Sequence, residues 1–305
     1  MNSTPAFRDV YEADGVYDQL LLRHYFGGTT DLELVTDWMT HHYGQPPSAL
    51  RIAEFGCGTG RITDVLADYA SELVLADYSA AMVAVAARRF PDARTFQADT
   101  RDAVTTLIGE NRAGSFDLVA SFWSLSYPIG EFFETMSSAG IVAHMDPARA
   151  WESAAGFVRR LVELLAPGGH LLVWLFDSDS PEQRLVTQAW EQVAPFPAGG
   201  RAYTRWQLLD ALHDAERDGL GTLTHTRLGG VAYAPDRAAG REWFFGEHFK
   251  HHPQLMTDTA LHAAVDAFLD RYQLPEGGSA IPSGVHIIAF HAGRHPFTAL
   301  PRGKS

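Results

Sequence analysis

A chain of 305 residues with 46% hydrophobic and 20% charged residues can bury one enlarged α/β domain, or a core with a smaller appended subdomain, so a folded chain rather than a disordered one is expected. The formal net charge of −13, with no run of Lys and Arg, argues against a nucleic-acid partner, because phosphate binding needs a basic face. The single cysteine, Cys57, excludes an internal disulfide framework and a multi-cysteine zinc site. No basic-then-apolar leader opens the chain, and no apolar segment approaches the roughly 20 residues of a membrane span, so a soluble, cytoplasmic protein is expected.

Residues 11–42 carry apolar and aromatic side chains at helical spacing, which predicts two amphipathic helices broken at Gly27-Gly28, with Pro46-Pro47 ending the second. From Leu50 the texture changes. Short apolar runs at 50–55, 72–77, 94–98, 116–122 and 170–176 read as strands. Helices are predicted between them at 62–69, 80–89 and 148–165, with Pro167-Gly168-Gly169 as a stop signal after the last. Strands of this kind alternating with helices indicate a parallel sheet covered on both faces. After Asp177 the alternation is lost: 181–193 and 206–217 look helical, and 223–233 and 243–256 look like two extended arms joined around Pro235-Asp236. Helical periodicity returns at 259–272, and 285–291 is a late strand. These elements divide into an N-terminal helical cover (1–48), a sheet core (49–177 and 258–305) and an inserted lid or substrate subdomain (178–257).

The strongest motif is Glu54-Phe55-Gly56-Cys57-Gly58-Thr59-Gly60-Arg61, a glycine-rich turn between a strand and a helix. Glycines let the backbone turn sharply and approach a ligand with no Cβ in the way. The turn lacks the Lys-Ser/Thr pair of a phosphate-binding loop, and its spacing departs from the dinucleotide fingerprint. That spacing counts against a nicotinamide or nucleotide-sugar enzyme. Asp77 follows at the end of the second strand, about where an acidic side chain meets a ribose. Tyr78 and Met82 stand where they can flank an adenine ring, and Asp99 ends the third strand, where it is equally a candidate helix cap. Cys57 reads as a small packing residue.

This set, in this order, resembles the class I S-adenosylmethionine-dependent methyltransferase family over residues 50–177, with weaker support from 258–292. The resemblance implies a Rossmann-like, doubly wound, mostly parallel sheet and S-adenosylmethionine as cofactor. It implies that Gly56, Gly58, Gly60, Asp77, Tyr78, Met82, Asp99, Thr100 and Ser121 line that cofactor, with Glu54 beneath the loop near the methionine amino group. In similar small-molecule enzymes an N-terminal helix closes over the cofactor and supplies a tyrosine, which here implies Tyr17 as a cofactor and catalytic residue.

Ligands of open α/β sheets sit beyond the carboxyl ends of the strands. The fourth strand ends in Ser121-Phe122-Trp123-Ser124-Leu125-Ser126-Tyr127-Pro128, which lacks the Asn/Asp-Pro-Pro-aromatic motif of adenine-amine methyltransferases and offers Trp123 and Tyr127 to an aromatic or cationic acceptor. Tyr11 from the cover and Trp243 from the lid are expected to complete the substrate enclosure. The aromatic cluster Trp206, Tyr233, Trp243, Phe244, Phe245 and Phe249 reads as the wall of a hydrophobic acceptor pocket, with a homodimer interface or an independent packing core as the alternative. Tyr127 and His248 are candidate catalytic groups, with His144 and His286 lesser ones. The set His248, His251, His252 and Glu247 lacks metal-ligand spacing on one helix face, so no metal is expected. The layout also resembles actinobacterial methyltransferases of indole-containing metabolites, including cyclic dipeptides, through Tyr17, Tyr25-Phe26-Gly27-Gly28 and residues 280–286. The expected function is methylation of a small aromatic natural product at carbon or nitrogen. The alternatives are a non-catalytic cofactor-binding regulator and an N-methyltransferase of amines or amino acids.

Overall fold

Strands covered on both faces carry near-continuous apolar runs. Three of them, β3 (Leu50–Phe55), β6 (Phe116–Phe122) and β9 (Leu165–Phe176), lie in the middle of a nine-stranded sheet. The computed structural model describes residues 22–293 apart from 138, 139, 145, 194, 197–199 and 251. Beside β3 follow β4 (Ala70–Asp77) and β5 (Arg94–Gln97). Beyond β9 lie β11 (Ser279–Ala292), β10 (Gly221–Ala234), β1 (Arg23–Phe26) and β2 (Thr29–Thr30), giving the order β2-β1-β10-β11-β9-β6-β3-β4-β5. The five strands from β9 to β5 are mutually parallel. β11 is antiparallel to β9 and β10, and β1 to β10 and β2, so β11 and β1 run against the other seven. The sheet is mostly parallel and the fold is Rossmann-like.

The period of two along each strand divides the core between the two faces. In β9, Leu171 and Val173 pack into one cluster and Leu172 and Trp174 into the other. The first cluster takes in α6 (Pro147–Glu163), whose buried residues Ala150, Ala154, Phe157, Val158, Leu161 and Val162 recur at three- and four-residue spacing. It also takes in α8 (Tyr203–Arg217) and the helix Thr259–Arg271. The second is covered by α1 (Asp31–Tyr43) through Val35 and Met39, α2 (Thr63–Ala67) through Leu66, and α3 (Ala80–Arg89) through Ala86. Thr30 and Glu33 close a reciprocal capping box at the start of α1.

Several expectations are corrected. Residues 23–26 are not helical; they form β1, because their backbone pairs with β10 while Phe26 is buried against Trp123. Residues 243–256 are not an extended arm. They form a π-helical turn, Trp243–His248, closed by the Phe249 N–H donating to the Phe244 carbonyl at 3.0 Å, and then a short helix, Pro253–Thr257. Trp243, Phe244, Phe245 and Phe249 are all buried, so a wound backbone is needed to direct them inward. The helix before β9 ends at Glu163, and Pro167-Gly168-Gly169 lies within the strand. β10 lies inside the span 178–257 and pairs with β11 over its whole length, so that span is threaded into the sheet. The helix α4 (Thr100–Gly109) begins at the candidate cap Asp99, while the short helix α5 (Ser126–Gly130) and the hairpin of β7 (Glu134–Ser137) and β8 (Gly140–Ala143) have no counterpart in the predicted elements.

Candidate active site

The carboxyl ends of β3, β4 and β6 open into a cavity of about 650 Å³. Its floor is the glycine turn after β3. Gly56 and Cys57 donate their N–H groups to the Ala76 carbonyl of β4, at 2.7 and 3.2 Å. Gly56 has φ +72°, and a Cβ there would come within 2.1 Å of the Ser124 hydroxyl, so the turn closes only on a residue without a side chain. Gly58 has φ +56°, yet a Cβ built on it meets nothing within 4 Å, because that side faces open space. A cradle of this form suits a ligand lying against bare backbone.

Two carboxylates flank the turn. Asp77, at the end of β4, accepts from the Gly58 and Ser79 N–H groups, each at 2.9 Å. Burial raises its carboxyl above the usual carboxylate range against the pull of these bonds. Glu54 is 2% exposed and accepts from the Thr63 hydroxyl at 2.6 Å. Burial, opposed by that bond and reinforced by the charge of Asp77, pushes Glu54 up to about 8. Cys57 is buried, and its thiol is pushed well up for the same first reason, in keeping with a packing role.

Of the residues implied for the cofactor, Glu54, Gly56, Gly58, Asp77, Tyr78, Met82, Asp99 and Thr100 all line this cavity. Asp99 does so while capping α4: it accepts from the Arg101 backbone N–H at 2.9 Å and pairs with the Arg101 guanidinium at 2.8 Å. Gly60 and Ser121 do not line the cavity. Gly60 packs against the Phe90 ring, where a Cβ would lie 2.5 Å from a ring carbon, so it faces the protein rather than the cavity. Ser121 is buried one layer below, 2.8 Å from the Ser124 hydroxyl, which in turn donates to the Phe55 carbonyl at 3.0 Å. Tyr11 and Tyr17 lie outside the described residues.

The far wall is aromatic. Trp123 adopts φ +63°, an uncommon backbone for a bulky residue. It lies 4.3 Å from Phe176 between ring centroids and 5.8 Å from Phe26. Tyr127, Trp243 and His248 line the same cavity. Behind them Glu182, fully buried, accepts from the indole N–H of Trp243, and its Oε1 lies 3.1 Å from His248 Nε2. Burial acts to raise the Glu182 carboxyl, but its hydrogen bond to His248 and the charges around it hold it below the ordinary value. A carboxylate oxygen can only accept, so the contact orients an Nε2–H of His248 towards Glu182. Phe244, Phe245 and Phe249 belong to the core, while Trp206 and Tyr233 are exposed. His144 bonds to Thr135 and the Phe132 carbonyl, and His286 sits among Arg205, His225 and Asp177; neither lines the cavity.

Sequence reasoning passed over Asp31, Arg61, His24 and Arg201, all of them in the cavity wall. Arg61 follows the glycine turn and donates to Asp31 at 3.1 Å, tying the start of α1 to the loop. The signal was available in the acidic first turn of a capped helix, but its partner was 30 residues away. A second chamber of about 580 Å³ adjoins the first and shares Trp123, Tyr127, Gln183, Arg201 and His248 with it. Among the described residues no helix is long and apolar enough to cross a membrane.

A methyltransferase-domain family model matches residues 53–171. The trans-aconitate 2-methyltransferases of Acidovorax sp. (strain JS42) and Acidovorax ebreus (strain TPSY) are each 30% identical over 151 residues, 48% of this chain and 47% of theirs. The chain thus spans about half the length of the curated relatives it matches. The YcgJ protein of Bacillus subtilis superposes with a TM-score of 0.50 at 12% identity, covering 87% of this chain and 98% of that one, a likeness of fold.

Proposed function

We propose that this chain, which a methyltransferase-domain model matches over residues 53–171, is a class I S-adenosylmethionine-dependent methyltransferase that methylates a small aromatic acceptor held against Trp123 and Tyr127. One observation carries the reading: a single cavity runs from Gly58 and Asp77 to Trp123, Trp243 and His248. The donor side fits S-adenosylmethionine. The bare edge of Gly58 accommodates a ligand chain, Asp77 suits a ribose diol, and Glu54 suits an ammonium group. When bound, the cofactor supplies an already activated methyl group on a cationic sulfur. The residues therefore act mainly by placing the acceptor in line and excluding water.

Trp123 and Trp243 bound the acceptor side, suited to an indole or a ring of that size. The curated relatives are named for a small-molecule acceptor, trans-aconitate, in agreement with an acceptor of small size. Transfer to a protonated carbon or nitrogen requires the proton to leave, and His248, on the cavity wall with Nε2 3.1 Å from Glu182 Oε1, supports a general-base reading. A non-catalytic regulator would have a sealed acceptor side, and the adjoining chamber of about 580 Å³ counts against that.

The test is calorimetry with S-adenosylmethionine and S-adenosylhomocysteine, followed by transfer of a labelled methyl group to a panel of indoles and aromatic amines. His248→Ala should retain binding of S-adenosylhomocysteine and lose turnover by about 10²–10⁴-fold, the range for a general base. Failure of both donor and product to bind would end the methyltransferase reading, and full turnover in His248→Ala would remove the base.

A further inference from the structure

The second chamber is walled by Trp190, Phe196 and Tyr203 on its far side and carries three arginines, Arg101, Arg201 and Arg205. Two of them are paired. Arg101 is held by Asp99 and Glu131, and Arg205 by Asp179 at 3.2 Å. The Arg201 guanidinium makes one hydrogen bond, to Gln183 Oε1 at 3.4 Å, and no ion pair among the described residues. Gln183, 4% exposed, is thereby turned so that its Nε2 donors have no partner, although they are buried. A buried donor left unmet is costly, and a guanidinium on a cavity wall that no carboxylate pairs among the described residues is suited to take an anionic ligand. Among the described residues three carboxyls line the chamber: Glu131 pairs with Arg101 and Glu247 with Lys250, and the third is Glu134, 6% exposed and without a partner at Oε2. Burial, eased by Tyr203 and Arg201, pushes it up to about 7, so at neutral pH it only partly offsets Arg201.

We propose that Arg201 and Gln183 form a carboxylate-binding subsite in the second chamber, so that the acceptor is an acid whose carboxylate docks there while its ring reaches Trp123. This rests on the methyltransferase reading above and names the substrate class for the same cavity. The carboxylate serves as an anchor. Gln183 and Arg201 line both chambers, so a carboxylate on them leaves the rest of the molecule directed past Tyr127 towards the donor side. The guanidinium offers two N–H groups in one plane, the geometry a carboxylate accepts.

The experiment is calorimetry of indole-3-propionate and of its primary amide against the full chain, with and without S-adenosylhomocysteine. The acid should bind at least ~10-fold more tightly than the amide, the ratio expected for one charge-assisted pair. Arg201→Gln should erase that preference while the amide keeps its affinity, and Arg201→Lys should retain part of it. Equal affinities, an acid that does not bind, or a preference that survives in Arg201→Gln each overturn the subsite. Binding of S-adenosylhomocysteine, measured in the same series, separates the two readings. Product that fails to bind sinks the methyltransferase assignment, whereas product that binds without a preference for acid sinks the subsite alone.

Discussion

Asp77 is held by two backbone N–H groups of the turn it faces, and these bonds keep its carboxylate oriented before any ligand arrives. Asp77→Asn preserves the volume and one acceptor but removes the charge. It should weaken S-adenosylhomocysteine binding at least ~10-fold with little change in melting temperature, because hydrogen bonds to a charged group are the stronger ones. Unchanged affinity in calorimetry would take the ribose away from Asp77. Gly58→Val tests the other half of the cradle. Its Cβ would meet no protein atom within 4 Å, so the fold should survive, with about 1–2 kcal/mol of strain from φ +56°. The branched side chain would stand where the ligand must lie, and donor and product binding should both be lost. Normal product binding in that variant would place the ligand elsewhere.

The start of α1 and the glycine turn are one mechanical unit. The capping box of Thr30 and Glu33 orients the first turn, and Asp31 then reaches Arg61. The pair is partly buried, with side-chain exposures of 34% for Arg61 and 11% for Asp31, so it is worth more than a surface ion pair. Asp31→Asn should loosen the turn from the helix. The expected result is a several-fold weaker product affinity together with faster hydrogen exchange in residues 56–62. Wild-type exchange there would show that the turn is held by β4 alone, through the Ala76 carbonyl. At the same scale, the Glu182 carboxylate links α7 (Pro181–Glu191) to the π-helical turn, joining Trp243 and His248 on a single buried oxygen.

The pH dependence of stability belongs to the whole molecule, because it sums groups from both faces of the sheet. Glu54 has a folded pKa of about 8, above its ordinary value of 4.5, so its contribution is complete below pH 4.5 and lost as pH rises through 8. Burial lowers His170 and His286 to about 4, so their contribution is present above pH 6.5 and lost as pH falls through 4. On the alkaline side, the remaining loss from Glu54 between pH 6.5 and 8 is about 2 kcal/mol, at 1.36 kcal/mol per pKa unit. Glu54→Gln should remove most of that slope in urea unfolding measured from pH 6.5 to 8.5, with Glu134, at about 7, supplying the remainder. An unchanged slope would mean that Glu54 is ionised in the folded protein throughout that range.

Much of the parallel half was legible because its signals are local. Apolar runs of strand length, the alanine-rich helix closed by Pro91 and the glycine turn each depend on a few consecutive residues, and β3, β6 and α3 have the bounds their sequence implies. Gly56, Gly58, Asp77 and Asp99 follow from that regularity, since residues after successive parallel strands must meet at one edge of the sheet. What the sequence left open depends on partners far along the chain. Residues 23–26 have helical spacing, but β10, some 200 residues later, offers an edge whose hydrogen bonds outweigh local preference. Gly60 and Gly58 look alike in the motif; only the position of Phe90 turns one to the protein and leaves the other to the cavity. Glu182 with His248, and Gln183 with Arg201, are 66 and 18 residues apart and carry no shared motif. Their meeting is a product of tertiary packing, which brings the acceptor wall together from segments that local pattern cannot connect.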